Sequence, residues 1–122
     1  MSAHPIVHIE IPTQNPTTAS EFYSTVFGWK IEADAEMDYV MFDAGNQLGG
    51  GFPKIDGEMF KGNDLIVYID TDDIEATLAT IEAHGGKALL PKTEIPTIGW
   101  FAFFADPSGN RMALYKSMRD AG

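Results

Sequence analysis

The chain has 122 residues, 44% of them hydrophobic, enough for one domain that buries roughly two thirds of its unfolded surface. Its 8 basic and 18 acidic residues give a formal charge of −10, which repels phosphate backbones and anionic membranes and argues against nucleic acid or membrane as partner. The absence of cysteine excludes disulfides, thiolate metal sites and a cysteine nucleophile, and MSAHPIVHIE lacks the basic stretch and long apolar run of a secretory signal, so a cytoplasmic protein is expected.

From Ile6 to Ile11 apolar and polar residues alternate, as in a half-buried strand. Asn15 then stands where a helix N-cap belongs, ahead of Pro16, whose missing N–H costs nothing at the first helical position. Ala19, Phe22, Tyr23, Val26 and Phe27 recur at spacings of three and four, which gives this helix one apolar face, and Gly28 ends it. Strands are expected at Trp29 to Ala35, Tyr39 to Ala44 and Gln47 to Phe52, with Gly45-Asn46 as a tight hairpin. The segment PKIDGEMFKGN holds Pro53, Gly57 and Gly62 without periodicity and reads as a linker.

The same order then returns. Leu65 to Ile69 is a strand, Thr71 or Asp72 a cap, and Ile74, Leu78 and Ile81 the buried stripe of a helix closed by Gly85-Gly86. Strands follow at Lys87 to Leu90, Trp100 to Ala105 and Arg111 to Lys116, the last two joined by the turn DPSGN. Each half reads β-α-β-β-β, so the chain is an α+β fold of two modules, about 4–53 and 64–117, joined by a linker at 54–63 within a single domain spanning 1–122. Neither half is large enough to bury a core alone, so the two must pack together and leave a shared concave surface, the natural place for a small ligand.

Several residues are candidates to line that surface. His8 and Glu10 share a strand face, and a carboxylate facing an apolar cavity has a raised pKa and can act as a base, which makes Glu10 the catalytic candidate. Asp64 and Tyr68 share a face in the second module, and Trp100, Phe104 and Tyr115 can stack on a planar ligand. The bland alternatives stand beside these: a solvent-facing Glu10, a turn residue at Asp64, aromatics that are simply core, and Arg111 and Lys116 as rim charges. Gly49 to Gly51 is no phosphate loop, because neither Lys-Ser nor Lys-Thr follows, and Ser108 has no evident neighbouring base.

The stretches VHIEIP, EFYSTVFGWK and WFAFFADPSGNRMALY, in that order across nearly the whole chain, resemble the vicinal oxygen chelate superfamily, which includes glyoxalase I, bleomycin-resistance proteins and extradiol dioxygenases. That resemblance implies two βαβββ modules whose strands curl into a cup around the ligand. In members that do chemistry it also implies a divalent metal held by a first-strand and a last-strand ligand from each module. Carried over position by position, His8 falls on the first-strand histidine of module one and Asp64 on its counterpart in module two. The last-strand glutamates fall in or beside Gly49 to Gly51 and on Ala113, which supply no donor.

The leading expectation is therefore a glyoxalase- or bleomycin-resistance-like protein that binds a small molecule in the cup without the family's metal and without other cofactor. Its acidic charge suits a cationic ligand. The alternative is a divalent-metal-dependent lyase, isomerase or dioxygenase using His8, Glu10 and Asp64 around one ion, and a third reading is a module that acts only through protein partners. A homodimer is expected from the family's habit of covering sheet edges with a second subunit.

Overall fold

The computed structural model describes residues 3–35, 38–62 and 64–118. Eight strands and two helices follow one another as β1 (Ile6–Glu10), α1 (Pro16–Phe27), β2 (Lys30–Asp34), β3 (Tyr39–Asp43), β4 (Gly49–Gly51), β5 (Ile66–Asp70), α2 (Ile74–Ala83), β6 (Lys87–Ile95), β7 (Gly99–Ala105) and β8 (Arg111–Ser117). The α+β class and the doubled β-α-β-β-β order are those read from the sequence. Two compact units are present, Val7–Ile66 and Val67–Gly122, the second joined by Met1–Ile6. The start of the chain goes with the second unit because Asp70 N–H donates to the Pro5 carbonyl at 2.9 Å and the Asp70 carbonyl meets His4 Nδ1 at 2.8 Å. Most of the expected linker goes with the first, where Thr13 N–H donates to the Pro53 carbonyl and Ile55 N–H to the Thr13 carbonyl, each at 2.9 Å. Asn63, its last residue, lies outside the described residues.

In the first unit the strand order is β2-β3-β4-β1, with β1 parallel to β4 and the other neighbours antiparallel. α1 starts as expected: the Asn15 side chain accepts from the N–H groups of Thr17 and Thr18, Pro16 follows it, and Gly28 closes the helix in the left-handed region at φ 73°. Packing on the α1 side of the sheet is aromatic. Tyr23 stacks on Trp29 at 4.7 Å and Phe52 at 5.5 Å, and Trp29 stacks on Phe42 at 4.5 Å. The apolar stripe of α1 is only half covered, since Phe22, Val26 and Phe27 remain more than half exposed while Tyr23 makes the contacts. Gly45-Asn46 is not a two-residue turn: Gly45, Asn46 and Gln47 all have positive φ, and Ala44 N–H donates to the Leu48 carbonyl across a wider loop, which shortens β4 to three residues.

The second unit repeats the arrangement as β6-β7-β8-β5, with β5 parallel to β8. Its N-cap is Asp73, whose carboxylate accepts from Ala76 N–H at 3.0 Å; Thr71, expected as cap with Asp72, accepts from Asp73 N–H and meets the Thr77 hydroxyl at 2.8 Å. At the other end His84 is the C-cap, its Nδ1 2.9 Å from the Thr80 carbonyl, and Gly85 takes φ 96°. The core joins Ile74 and Leu78 of α2 to Ala102 and Phe104 of β7 and Leu114 of β8. β6 runs five residues past the expected end, through Pro91, with two register shifts against β7 that absorb the residue lacking an N–H. Among the described residues no helix is long and apolar enough to cross a membrane.

Candidate functional site

The strands of the first unit bring three polar side chains together on the sheet face opposite α1. Phe42 of β3 points to the α1 side, so Tyr39, three residues earlier, points away from it. His8 and Glu10 of β1 pair with Gly49 and Gly51 of β4, and β4 in turn pairs with β3. The Tyr39 side chain crosses β4 to reach β1: its Oη donates to Glu10 Oε2 at 2.8 Å and lies 2.9 Å from His8 Nε2. Glu10 is 6% exposed, and burial pushes the His8 imidazole down to a pKa of about 4, so the ring is neutral at neutral pH.

Gly51 of β4 explains how this crossing is possible. A Cβ on Gly51 would sit 1.8 Å from Tyr39 Oη, and one on Gly50 would sit 1.7 Å from the Ile9 carbonyl oxygen. The glycines are thus a path for the phenol and a close backbone approach, which a β-strand interior tolerates only where something else needs the space. Tyr39 was not among the residues singled out by sequence. The signal that points to it is the Gly-Gly-Gly strand itself, which implies a large neighbouring side chain leaning over it.

In the second unit the sequence expectations need correction. Asp64 precedes β5, its N–H donating to the Lys61 carbonyl at 3.3 Å, and the first parallel pair of β5 and β8 is Tyr68 with Ala113. Tyr68 therefore takes the register place that His8 holds opposite Gly49, and Asp64 lies off the strand. The loop from strand to helix is two residues shorter in this module than in the first.

Phe104 belongs to the core under α2, and Trp100 packs against that same cluster, with Lys92 Nζ 5.0 Å from its ring centroid. Neither stands on the face away from α2, where a ligand-stacking role had placed them. On the face opposite α2 stand Phe101 and Phe103, their rings edge-to-face at 5.4 Å, together with Tyr115, paired to Phe101, and Tyr68, paired to Ala113, which in turn pairs with Phe103. The guanidinium of Arg111 lies 5.1 Å from the Phe103 ring centroid. The run WFAFFA lacks alternation, so its facing was decided by packing, and a one-residue slip reverses every side chain.

A divalent ion of the kind the resemblance implies needs at least three protein donors and carboxylate charge. Among the described residues no group of three or more His, Cys, Asp or Glu side chains is placed to hold one. Gly49, Gly51 and Ala113 offer no donor at the last-strand positions, and the Tyr39 hydroxyl stands between the two side chains of module one that do. The described residues do not assemble the donor set that such an ion needs.

What the triad offers instead is a neutral imidazole, a phenol and a carboxylate in hydrogen-bonded series, an arrangement suited to binding polar groups and moving protons.

Comparison with known proteins agrees with this architecture. The chain is 32% identical over 114 residues to a glyoxylase-like domain-containing protein of Didymella fabae, covering 87% of this chain and 88% of that one. It is 24% identical to the anthracycline biosynthesis protein DnrV of Streptomyces peucetius, covering 88% of this chain but only 45% of that protein's length. Among solved structures, BH1468 of Bacillus halodurans superposes with a TM-score of 0.77 at 12% identity, over 95% of this chain and 96% of that one. Since residues 5–114 match the model of the glyoxalase/bleomycin resistance protein/dioxygenase superfamily, the chain belongs to that superfamily.

Proposed function

We propose that this protein binds a small organic molecule against the His8–Tyr39–Glu10 face of its first unit, and does so without a resident metal ion. The observation that carries the reading is the placement of the Tyr39 hydroxyl, 2.8 Å from Glu10 and 2.9 Å from His8, over Gly51, in or beside the stretch where the family resemblance implies a metal-binding glutamate. A phenol in that place exchanges a cation's coordination for a hydrogen-bonding surface. The formal charge of −10 favours ligands bearing positive charge, and the biosynthetic role in the name of the Streptomyces relative fits an organic metabolite as ligand. The reading includes a homodimer in the cytoplasm, for which the exposed Phe22, Val26 and Phe27 of α1 supply apolar surface; the solution mass by light scattering checks the dimer.

The test is the metal content of protein purified without chelator, with thermal-shift titrations of zinc, nickel, manganese and iron and a screen of cationic and neutral aromatic compounds. Less than one tenth of an equivalent of metal (about 0.1), no metal-dependent rise in melting temperature and a saturable rise with an organic compound are the expected results. Stoichiometric metal that is lost on His8→Ala overturns the proposal and favours a metal-dependent lyase, isomerase or dioxygenase.

A further inference from the structure

The outer strands of the two units are finished differently. β6, outermost in the second unit, carries Pro91 and two register shifts against β7, devices that close a sheet edge to a further strand. β2, outermost in the first unit, has neither. Among the described residues it pairs on one side only, with β3, in an unbroken register from Lys30 opposite Asp43 to Asp34 opposite Tyr39. Its side chains are sorted by face. Ile31 lies opposite Phe42 and so shares the α1 side with Ala33 and with Trp29, which stacks on Phe42, while Lys30 and Glu32 are exposed on the other side.

We propose that β2 is an interface with a second copy of this chain, the two strands lying antiparallel about a two-fold axis at Ile31. In that register Ile31 meets its own counterpart, Trp29 faces Ala33 of the second copy and Lys30 faces Glu32 of the second copy. The axis makes each unlike contact occur twice, so one face of the seam is wholly apolar and the other carries two ion pairs. Moving the axis to Lys30 or Glu32 would set like charges face to face. Pairing Ile31 with Glu32 would oppose apolar and charged side chains and put the two α1 helices on opposite faces of the joined sheet. With the axis at Ile31 both helices lie on one face, and Phe27, exposed and with its ring 6.1 Å from that of Trp29, stands beside the seam. This inference deepens the homodimer reading and rests on it, but not on the ligand.

The experiment is the mass of the full chain by light scattering and sedimentation across a range of concentrations, for wild type, Lys30→Glu, Glu32→Lys, the double variant and an equimolar mixture of the two single variants. Wild type is expected as a dimer. Each single reversal turns both ion pairs into like-charge contacts and is expected to weaken the dimer about tenfold or more, whereas the double variant and the mixture again oppose unlike charges and are expected to recover it. Because the chain has no cysteine, Ile31→Cys is expected to form a disulfide between copies on mild oxidation, since directly opposed residues hold their Cβ atoms about 5 Å apart. A dimer that both single reversals leave intact, or whose loss the mixture does not repair, overturns the assignment of β2 and leaves a homodimer of another geometry. A monomeric wild type overturns both this assignment and the homodimer reading. Neither result bears on small-molecule binding, which metal content and compound screening decide.

Discussion

Replacing Gly51 with alanine tests the triad through its packing. The added Cβ would lie 1.8, 2.0 and 2.6 Å from Oη, Cζ and Cε2 of Tyr39, distances no side chain tolerates, so the phenol must swing away and give up both hydrogen bonds. A hydrogen bond to a charged group contributes a net of about 1.5–3 kcal/mol and a neutral one about 0.5–1.5 kcal/mol, so the loss amounts to roughly 2–4 kcal/mol. For a chain of this length that is a fall in Tm of roughly 6–20 °C. The assay is a double-mutant cycle: urea and thermal unfolding of wild type, Gly51→Ala, Tyr39→Ala and the pair. All three of the nearest atoms to the new methyl group belong to Tyr39, so in the Tyr39→Ala background the Gly51 substitution should cost less than about 0.5 kcal/mol, giving a coupling of roughly 2–4 kcal/mol. Additive costs, with Gly51→Ala equally harmful whether or not the phenol is present, would refute the account of why β4 is glycine.

Stability should fall as the solution is acidified, and His8 should account for a defined part of the fall. Its pKa drops from 6.5 in the unfolded chain to about 4 in the folded protein, so between those values the unfolded state binds more protons. Unfolding free energy therefore declines from pH 6.5 toward pH 4, by roughly 3 kcal/mol from this group; the difference between wild type and His8→Gln melting curves across that range isolates it, and parallel curves would contradict the burial of the ring. Asn15→Ala removes the acceptor for two N–H groups of α1 and should cost about 1 kcal/mol in chemical denaturation. Phe104→Ala should cost about 3–5 kcal/mol, being 8% exposed within the α2 core, whereas Phe101→Ala, half-buried on the other face, should cost distinctly less. Equal losses at the two positions would place both rings in one core and contradict the facing of β7.

The elements of this fold follow from local chemistry that any reader of the chain can see. Asn15-Pro16 begins a helix and Gly28 ends it because capping and left-handed geometry are properties of those residues and not of their surroundings. The alternation from Ile6 to Glu10 places His8 and Glu10 on one face for the same local reason. The doubling of the β-α-β-β-β order, and with it the family, is legible because each module repeats those signals in sequence. Facing within WFAFFA was not legible, since a run without polar residues has no period to read; only the packing of Ala102, Phe104 and Leu114 under Ile74 and Leu78 decides which rings point away. The site itself also required the tertiary structure. Tyr39 stands 29 residues from Glu10 and 31 from His8, and its reach across β4 at Gly51 depends on strand order and register, which are properties of pairing between strands and of no single segment.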